Sequence, residues 1–188
     1  MPTTRSVAVL VGSLRKDSLN RKMAHALAGL AAPALKMAIV EIGDLPLYDQ
    51  DLEDATPKPA RWLAFRDAIR SVDAVLFVTP EYNRSVPGPL KNAIDVGSRP
   101  YGQSVWSSKP AAIVSVSPGA LGAFGANHHL RQSLVFLDMP ILQQPEAYIS
   151  GADKLFDESG ALTNDSTREF LAKFLGAFSR WIERTSEK

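Results

Sequence analysis

An unbroken run of apolar residues and glycine, from Val7 to Gly12, constrains the fold of this chain more than any other feature. A strand without polar interruptions is usually covered on both faces, as strands are in the parallel sheets of α/β proteins. The run therefore predicts a buried parallel strand. The polar turn that follows it, up to Arg21, opens onto a helical pattern.

Strand and helix patterns alternate along the rest of the chain, without an internal repeat or a linker. After the first strand, apolar runs predict strands at about 35–42, 74–78, 111–116 and 141–144. Helical periodicity predicts helices at about 18–31, 62–72, 89–97, 127–137 and 166–181. Five strands that alternate with five helices predict a doubly wound parallel sheet. We expect one domain spanning residues 1–188.

The composition is that of an ordinary globular protein, with a formal net charge of +1 over 188 residues. Near-neutral charge argues against a nucleic-acid partner, and no apolar run approaches the roughly 20 residues of a membrane span. Without cysteine, the chain has no disulfide, thiolate metal site or cysteine nucleophile. With three histidines, no metal site is expected. The expected location is the cytoplasm.

The turn after the first strand has the chemistry of a phosphate site. Backbone N–H groups at a helix start favour an anion. Ser13, Ser18 and Asn20 add neutral donors, and Arg15 adds a planar cationic fork that suits phosphate oxygens. The turn lacks both the P-loop ending and the spaced glycines of the dinucleotide fingerprint. The alternative interpretation is plain capping, because a helix start needs Ser or Asn whatever its function.

Two further loops follow predicted strands, so all three are expected at one edge of the sheet. Residues 79–92 contain three prolines that stiffen the loop, and Tyr82 offers a ring for stacking. Residues 115–125 are rich in glycine and small side chains, which lets backbone groups approach a ligand edge. Together the loops predict a slot for a planar heteroaromatic ring. Taken separately, each is also compatible with a simple connection.

Two strings in these loops resemble the NAD(P)H-dependent FMN reductase family, and in particular its bacterial quinone and chromate reductase branch. They are Gly-Ser-Leu-Arg-Lys-x-Ser-x-Asn and Thr-Pro-Glu-Tyr-Asn-x-Ser-Val-Pro-Gly-x-Leu-Lys-Asn-Ala-Ile-Asp. The similarity covers about residues 6–146. It implies a flavodoxin-like three-layer sandwich with a five-stranded parallel sheet of order 2-1-3-4-5. It also implies non-covalent FMN and a homodimer or homotetramer with sites near the subunit interfaces.

Carried over by position, the resemblance implies three groups of FMN-binding residues. The phosphate would be held by Ser13, Arg15, Ser18 and Asn20. The isoalloxazine and ribityl chain would lie along Pro80, Glu81, Tyr82 and Asn83, and the pyrimidine edge against Ser117 and Gly119. Arg131 and Glu146 would lie at a subunit interface. The chain departs from the family at Ala123, where the methyl group is expected to narrow access beside the flavin, and at Val96.

The activity that the resemblance implies is hydride transfer from NADPH or NADH through FMN to a small-molecule electron acceptor. The acceptor would be a quinone or a similar compound, with chromate, azo compounds and free flavin as further candidates. We expect ping-pong kinetics, because one open ring face serves both substrates, and we assign no catalytic side chain. Cations that suit an NADP 2′-phosphate are Arg84, Arg99 and Lys109. The alternatives are a flavodoxin-type electron carrier and an FMN-binding protein that does not oxidise NAD(P)H itself.

Overall fold

The computed structural model describes residues 4–31 and 33–186, which form one parallel sheet with helices on both faces. The strands are β1 (Arg5–Val11), β2 (Leu35–Ile39), β3 (Ala74–Thr79), β4 (Ala111–Val116) and β5 (Ala147–Ile149). The helices are α1 (Leu19–Ala31), α2 (Gln50–Asp54), α3 (Ala60–Arg70), α4 (Gly88–Gly97), α5 (Phe124–Phe136) and α6 (Asp165–Ser186). A 3₁₀ turn at Ala152–Lys154 follows β5.

The strand order is β2-β1-β3-β4-β5, and every pair is parallel, which confirms the predicted fold class and order. The order in which the strands are added reverses at β1: β2 pairs with one side of β1, and β3 pairs with the other. Val11 at the end of β1 lies opposite Val78 of β3. In doubly wound sheets a ligand crevice lies outside the carboxyl ends of the strands at this point.

Side chains of β1 alternate between two cores, as a strand covered on both faces requires. Val7, Val9 and Val11 pack into the core beneath α1 and α6. Ala8 and Leu10 pack into the core beneath α3, α4 and α5. All five side chains are at most 3% exposed, so the strand predicted from the apolar run is confirmed.

The fifth strand lies at Ala147–Ile149, so its predicted position at 141–144 was wrong. Pro140 and Pro145 bracket the predicted segment, and proline has no N–H to donate to a ladder. Within the described residues, the segment contributes a single bridge, between Ile141 and Ala111. The helix expected from Asn127 begins one turn earlier, at Phe124. The short helix α2 was not predicted; the Asp49 carboxylate caps it by accepting the Asp51 N–H at 2.9 Å.

A buried ion cluster joins α2 to α3. Glu53 and Arg66 form a salt bridge through two oxygen–nitrogen pairs, and each side chain is 2% exposed. Lys58 Nζ lies 3.0 Å from the same carboxylate, and Arg66 Nε donates to the Val96 carbonyl at 2.9 Å. The Arg66 guanidinium also lies 5.7 Å from the centre of the Trp62 ring. The cluster holds the segment after β2 against the α3–α4 layer.

Acid is expected to destabilise the fold through Glu53 and Asp73. Burial raises the pKa of each carboxyl, but it is outweighed by Arg66 and Lys58 at Glu53 and by Ser6 hydrogen bonds at Asp73, so both pKa values lie below their ordinary values. A depressed folded-state pKa gives stability that is present above the unfolded pKa and is lost as pH falls through the folded one. In urea titrations, the free energy of unfolding should decrease from about pH 5 towards about pH 3. A flat profile over that interval would contradict this assignment.

Candidate active site

The first loop, residues 12–18, joins the carboxyl end of β1 to α1. The Gly12 N–H donates to the Val78 carbonyl at 2.9 Å, which ties the loop to β3. Ser13 and Ser18 are 4% and 3% exposed, whereas Arg15 is exposed. The Ser18 hydroxyl accepts the Arg21 N–H at 3.1 Å. Ser18 is therefore the N-cap of α1, as the capping alternative predicted. Its own hydroxyl proton is still available for a hydrogen bond to a ligand.

Asn20 contains an unsatisfied acceptor at the base of this loop. Its Nδ2 donates to the Val116 carbonyl at 3.4 Å, which connects the start of α1 to the end of β4. Its Oδ1 is buried and has no hydrogen-bond partner within the described residues. An orphaned buried acceptor is costly, so a donor from a ligand or water is expected. In this orientation the oxygen suits a ligand hydroxyl, because a phosphate dianion has no proton to donate.

The second loop begins with a tight hairpin. Tyr82 and Ser85 exchange backbone hydrogen bonds of 3.2 and 3.0 Å, and the residues between them, Asn83 and Arg84, have φ values of 50° and 64°. Positive φ at both central residues gives a primed turn, whose conformation is uncommon for arginine. The Tyr82 side chain is 51% exposed. The hairpin thus presents an aromatic ring at the carboxyl edge of the sheet.

The Glu81 carboxylate joins the second loop to α5. It accepts the Ala126 N–H at 3.0 Å, in the first turn of α5, and lies 3.5 Å from Arg84 Nη1. A carboxylate at a helix start is favoured by the unpaired N–H groups there. Close approach requires Gly125, because a Cβ at that position would lie 2.9 Å from both Glu81 Oε2 and the Arg84 carbonyl oxygen. The carboxylate of this predicted flavin-binding residue is therefore engaged as a helix cap.

The third loop, residues 117–123, is held from beneath by buried polar side chains. Ser115 Oγ donates to the Gly122 carbonyl at 2.7 Å and accepts from Asn127 Nδ2 at 3.3 Å. At the start of the loop, Ser117 Oγ accepts the Gly119 N–H at 3.0 Å. Gly122 needs its φ of 55° and has no room for a Cβ, which would lie 2.7 Å from the Tyr148 backbone. No pattern in the sequence indicated that Ser115 and Asn127 support this loop.

The side chains at the two departures from the family pattern, Ala123 and Val96, are buried. Ala123 has a φ of 59° and is 3% exposed. Its methyl group therefore does not project from the loop, contrary to the expectation that it narrows access there. Val96 is fully buried in the core beneath α4, where its carbonyl accepts Arg66.

The three loops meet, which confirms the prediction that one edge of the sheet gathers them. The contacts Gly12–Val78, Asn20–Val116 and Glu81–Ala126 connect the first loop to β3, α1 to β4, and the second loop to α5. The segments that follow β1 to β4 also carry large apolar side chains that are each at least 49% exposed. They are Leu14, Leu47, Tyr82, Leu121 and Phe124. Because these segments start at the carboxyl ends of the strands, the side chains are available for contact with a ligand at that edge.

The cations proposed for a 2′-phosphate are spread over the molecule. Arg84 lies in the hairpin, with its side chain 73% exposed, and the Arg99 guanidinium lies 6.0 Å from the centre of the Tyr48 ring. Lys109 precedes β4, at the opposite edge of the sheet, and donates to the Val72 carbonyl. Burial lowers the pKa of Lys109. Lys109 therefore lies away from the three loops of the candidate site.

An aromatic group adjoins the third loop on the β5 side. The Phe124 ring lies 4.3 Å from the His128 ring and 5.3 Å from the Tyr148 ring, measured between centroids. The Tyr148 hydroxyl lies 2.9 Å from His128 Nε2. Burial, with a smaller effect of Glu146, raises the pKa of Tyr148 to about 12, so the phenol stays protonated at neutral pH. No alternating or helical pattern in the sequence identified this group.

Within the described residues, no group of three His, Asp or Glu side chains is placed to hold a metal ion. Among the same residues, no helix has both the length and the apolar character needed to cross a membrane.

This chain is similar to proteins of one family. The sequence profile of the NADPH-dependent FMN reductases matches residues 5–154. A quinone reductase of Pseudomonas putida is 66% identical over 97% of both chains. An NAD(P)H-dependent FMN reductase of Pseudomonas aeruginosa is 44% identical over 92% of both. The solved structure of FerB, a flavoenzyme NAD(P)H:(acceptor) oxidoreductase of Paracoccus denitrificans, superimposes with a TM-score of 0.90, at 45% identity, over 97% of this chain and 99% of FerB.

Proposed function

This chain belongs to the NADPH-dependent FMN reductase family, and we propose that it oxidises NADPH or NADH and passes the hydride by way of bound FMN to a quinone. The observation that carries the proposal is the meeting of three loops at the carboxyl edge of the sheet. Together, the loops and the start of α1 offer contacts suited to the three chemical parts of FMN: a phosphate, a chain of hydroxyls and a planar ring.

The first loop suits the phosphate. Ser13 and Ser18 lie in the loop that leads into α1, whose first N–H groups favour an anion. Arg15 makes no ion pair in the part of the chain that the structure describes, so its fork of donors is available. A phosphate site makes use of a cation beside buried hydroxyls, whereas helix capping alone needs no charge. The presence of Arg15 therefore favours the phosphate site.

The remaining contacts suit the ribityl chain and the ring. The buried Asn20 Oδ1 lacks a donor, which a ribityl hydroxyl supplies in the orientation found here, so we now favour this contact over the phosphate for Asn20. Pro80, Tyr82 and Asn83 would lie along one side of the ring, with Ser117 and Gly119 at its pyrimidine edge. Glu81 would act chiefly by holding the second loop against α5.

Bound FMN would supply hydride acceptance and donation, and the protein would supply orientation and an apolar surround. We assign no acid or base in the loops: His129 bonds Ser85 at 3.0 Å, and His128 bonds Tyr148. The exposed apolar side chains that follow β1 to β4 favour a planar, poorly hydrated acceptor. A quinone is such an acceptor, in keeping with the quinone reductase name of the Pseudomonas putida relative. Chromate, azo compounds and free flavin remain acceptors to be compared with quinones.

Steady-state assays with the FMN-loaded protein, NADPH and 1,4-benzoquinone test this proposal. We expect NADPH oxidation without a partner reductase, and parallel double-reciprocal lines when both substrates are varied, because both use one open ring face. Intersecting lines would contradict the shared face. Absence of NADPH oxidation would instead indicate an electron carrier or a protein that only binds FMN.

A further inference from the structure

A groove lies between the carboxyl-terminal half of α6 and the segment that precedes β5. It has a volume of about 300 Å³ and is lined by residues 142–144 on one side and by Ala177, Arg180, Trp181 and Arg184 of α6 on the other. Among the described residues that line it, two are cationic and none is acidic. The groove therefore has the charge of an anion site.

The groove and the three loops of the candidate site lie at opposite edges of the sheet. The Pro140 carbonyl accepts the Trp181 Nε1–H at 2.8 Å and the Ala111 N–H at 3.0 Å. Ala111 is the first residue of β4, so these bonds place the Trp181 ring near the amino end of that strand. At about 3.3 Å per residue, the six residues of β4 separate the two edges by about 17 Å. A ligand in the groove would therefore occupy a second site.

Both arginines of the groove have donors that the described residues leave available. In that part of the chain, Arg15, Arg180 and Arg184 are the arginines that make no hydrogen bond or salt bridge. Every other arginine there engages a carboxylate, a carbonyl or a polar side chain. Arg180 and Arg184 thus share with Arg15 an unused guanidinium fork, which suits phosphate oxygens.

The spacing of the two arginines brings their charges together on one face of α6. Residues four apart on a helix are neighbours, with Cβ atoms about 5–6 Å apart, and like charges at that spacing repel each other. An anion between them would replace this repulsion by two attractions. The Arg180 Nη1 lies 3.5 Å from where a Cβ on Gly176 would be, so the guanidinium extends back over small residues, Gly176 and Ala177, that leave room beside it.

The opposite wall of the groove supplies neutral donors on a fixed backbone. Gln143 and Gln144 are exposed, and neither carboxamide makes a hydrogen bond to another described residue. The Leu142 carbonyl accepts Arg131 Nη1 at 3.1 Å, and the Leu142 N–H donates to the Ala111 carbonyl at 2.8 Å. These two bonds hold the segment in place beside α6.

We propose that this groove binds a small aromatic phosphomonoester, with its phosphate between Arg180 and Arg184 and its ring against Trp181. Two guanidinium forks offer more donors than one carboxylate accepts in bidentate fashion, which favours a phosphate. A volume of about 300 Å³ is that of a site for a small organic ligand. This inference does not depend on FMN binding by the three loops.

Isothermal titration calorimetry with phenyl phosphate tests the proposal. The FMN-loaded protein, freed of unbound FMN by gel filtration, should bind one phenyl phosphate per chain. Inorganic phosphate, which lacks the ring, and phenol, which lacks the charge, should each bind at least about ten-fold more weakly. Inorganic phosphate that binds as tightly as phenyl phosphate would overturn the proposal, because the arginines would then hold an adventitious ion only.

Variants of α6 assign the binding to the groove. Arg180→Ala and Arg184→Ala should each weaken phenyl phosphate binding by at least about ten-fold, because each removes a charge-assisted contact. Arg168→Ala is the matched control: Arg168 donates to the Leu162 carbonyl and lies 3.7 Å from Asp165. Its removal subtracts the same charge from the same helix and should change the affinity by less than about three-fold.

Arg15→Ala distinguishes the groove from the first loop, and it should not weaken phenyl phosphate binding. A loss of binding in Arg15→Ala would place the ligand in the first loop and overturn the proposal. So would the absence of saturable binding by the unmodified protein, or equal losses in Arg180→Ala and Arg168→Ala.

Discussion

Replacing Arg66 with methionine is expected to lower the free energy of unfolding by about 3 kcal/mol. Removing one partner of a buried ion pair typically costs about 3–5 kcal/mol, because the other charge is left without compensation. We expect the lower end of that range, since Lys58 still lies 3.0 Å from the Glu53 carboxylate. Urea denaturation monitored by circular dichroism at pH 7 measures the change.

Arg70 provides the matched control on the same helix. It pairs with Asp67 at 2.9 Å, but the two side chains are 47% and 74% exposed. Arg70→Met should therefore change the free energy of unfolding by less than about 1 kcal/mol. Adding Glu53→Met to Arg66→Met should recover most of the loss, because it removes the stranded carboxylate. Equal effects of Arg66→Met and Arg70→Met would contradict the role given to burial.

Replacing Arg15 with alanine is expected to weaken FMN binding by roughly ten- to a hundred-fold. Charge-assisted hydrogen bonds contribute about 1.5–3 kcal/mol each, and every 1.4 kcal/mol is a factor of about ten in the dissociation constant. Folding should be unaffected, since Arg15 is exposed and makes no ion pair within residues 4–31 and 33–186. Fluorescence titration of the FMN-free protein with FMN measures the dissociation constant.

Arg21→Ala separates a specific contact from a general loss of positive charge. Arg21 lies in the first turn of α1, six residues after Arg15, but Glu41 engages its guanidinium through bonds of 2.8 and 2.7 Å. Its removal subtracts the same charge and should change FMN affinity by less than about three-fold. If Arg15→Ala and Arg21→Ala weaken binding equally, Arg15 makes no direct contact with the phosphate.

The parts of the fold that the sequence predicted are those governed by local periodicity. The apolar runs located β1, β2, β3 and β4, although β2 ends three residues before its predicted end, and helical spacing located α1, α3, α4 and α6. Strand β5 was missed because it is three residues long, which is too short for a periodic pattern, and because the apolar pair Ile141 and Leu142, between Pro140 and Pro145, lies just before it. Helix α2 was not predicted, because its start depends on the Asp49 side chain and its position depends on the buried salt bridge between Glu53 and Arg66.

The site was predictable at the level of loops but less so at the level of individual side chains. Residues following parallel strands must meet at one edge, so the meeting of three loops follows from topology alone. The capping role of Glu81 and the supporting role of Asn127 depend on partners far away in the chain, which no local pattern encodes.

The central claim is that these loops seat FMN, and a titration of the purified, FMN-free protein with FMN, followed by visible absorbance, tests it most directly. The expected result is a saturable change in the flavin spectrum, with one FMN retained per chain after gel filtration. A protein that remains colourless after incubation with excess FMN would contradict the claim.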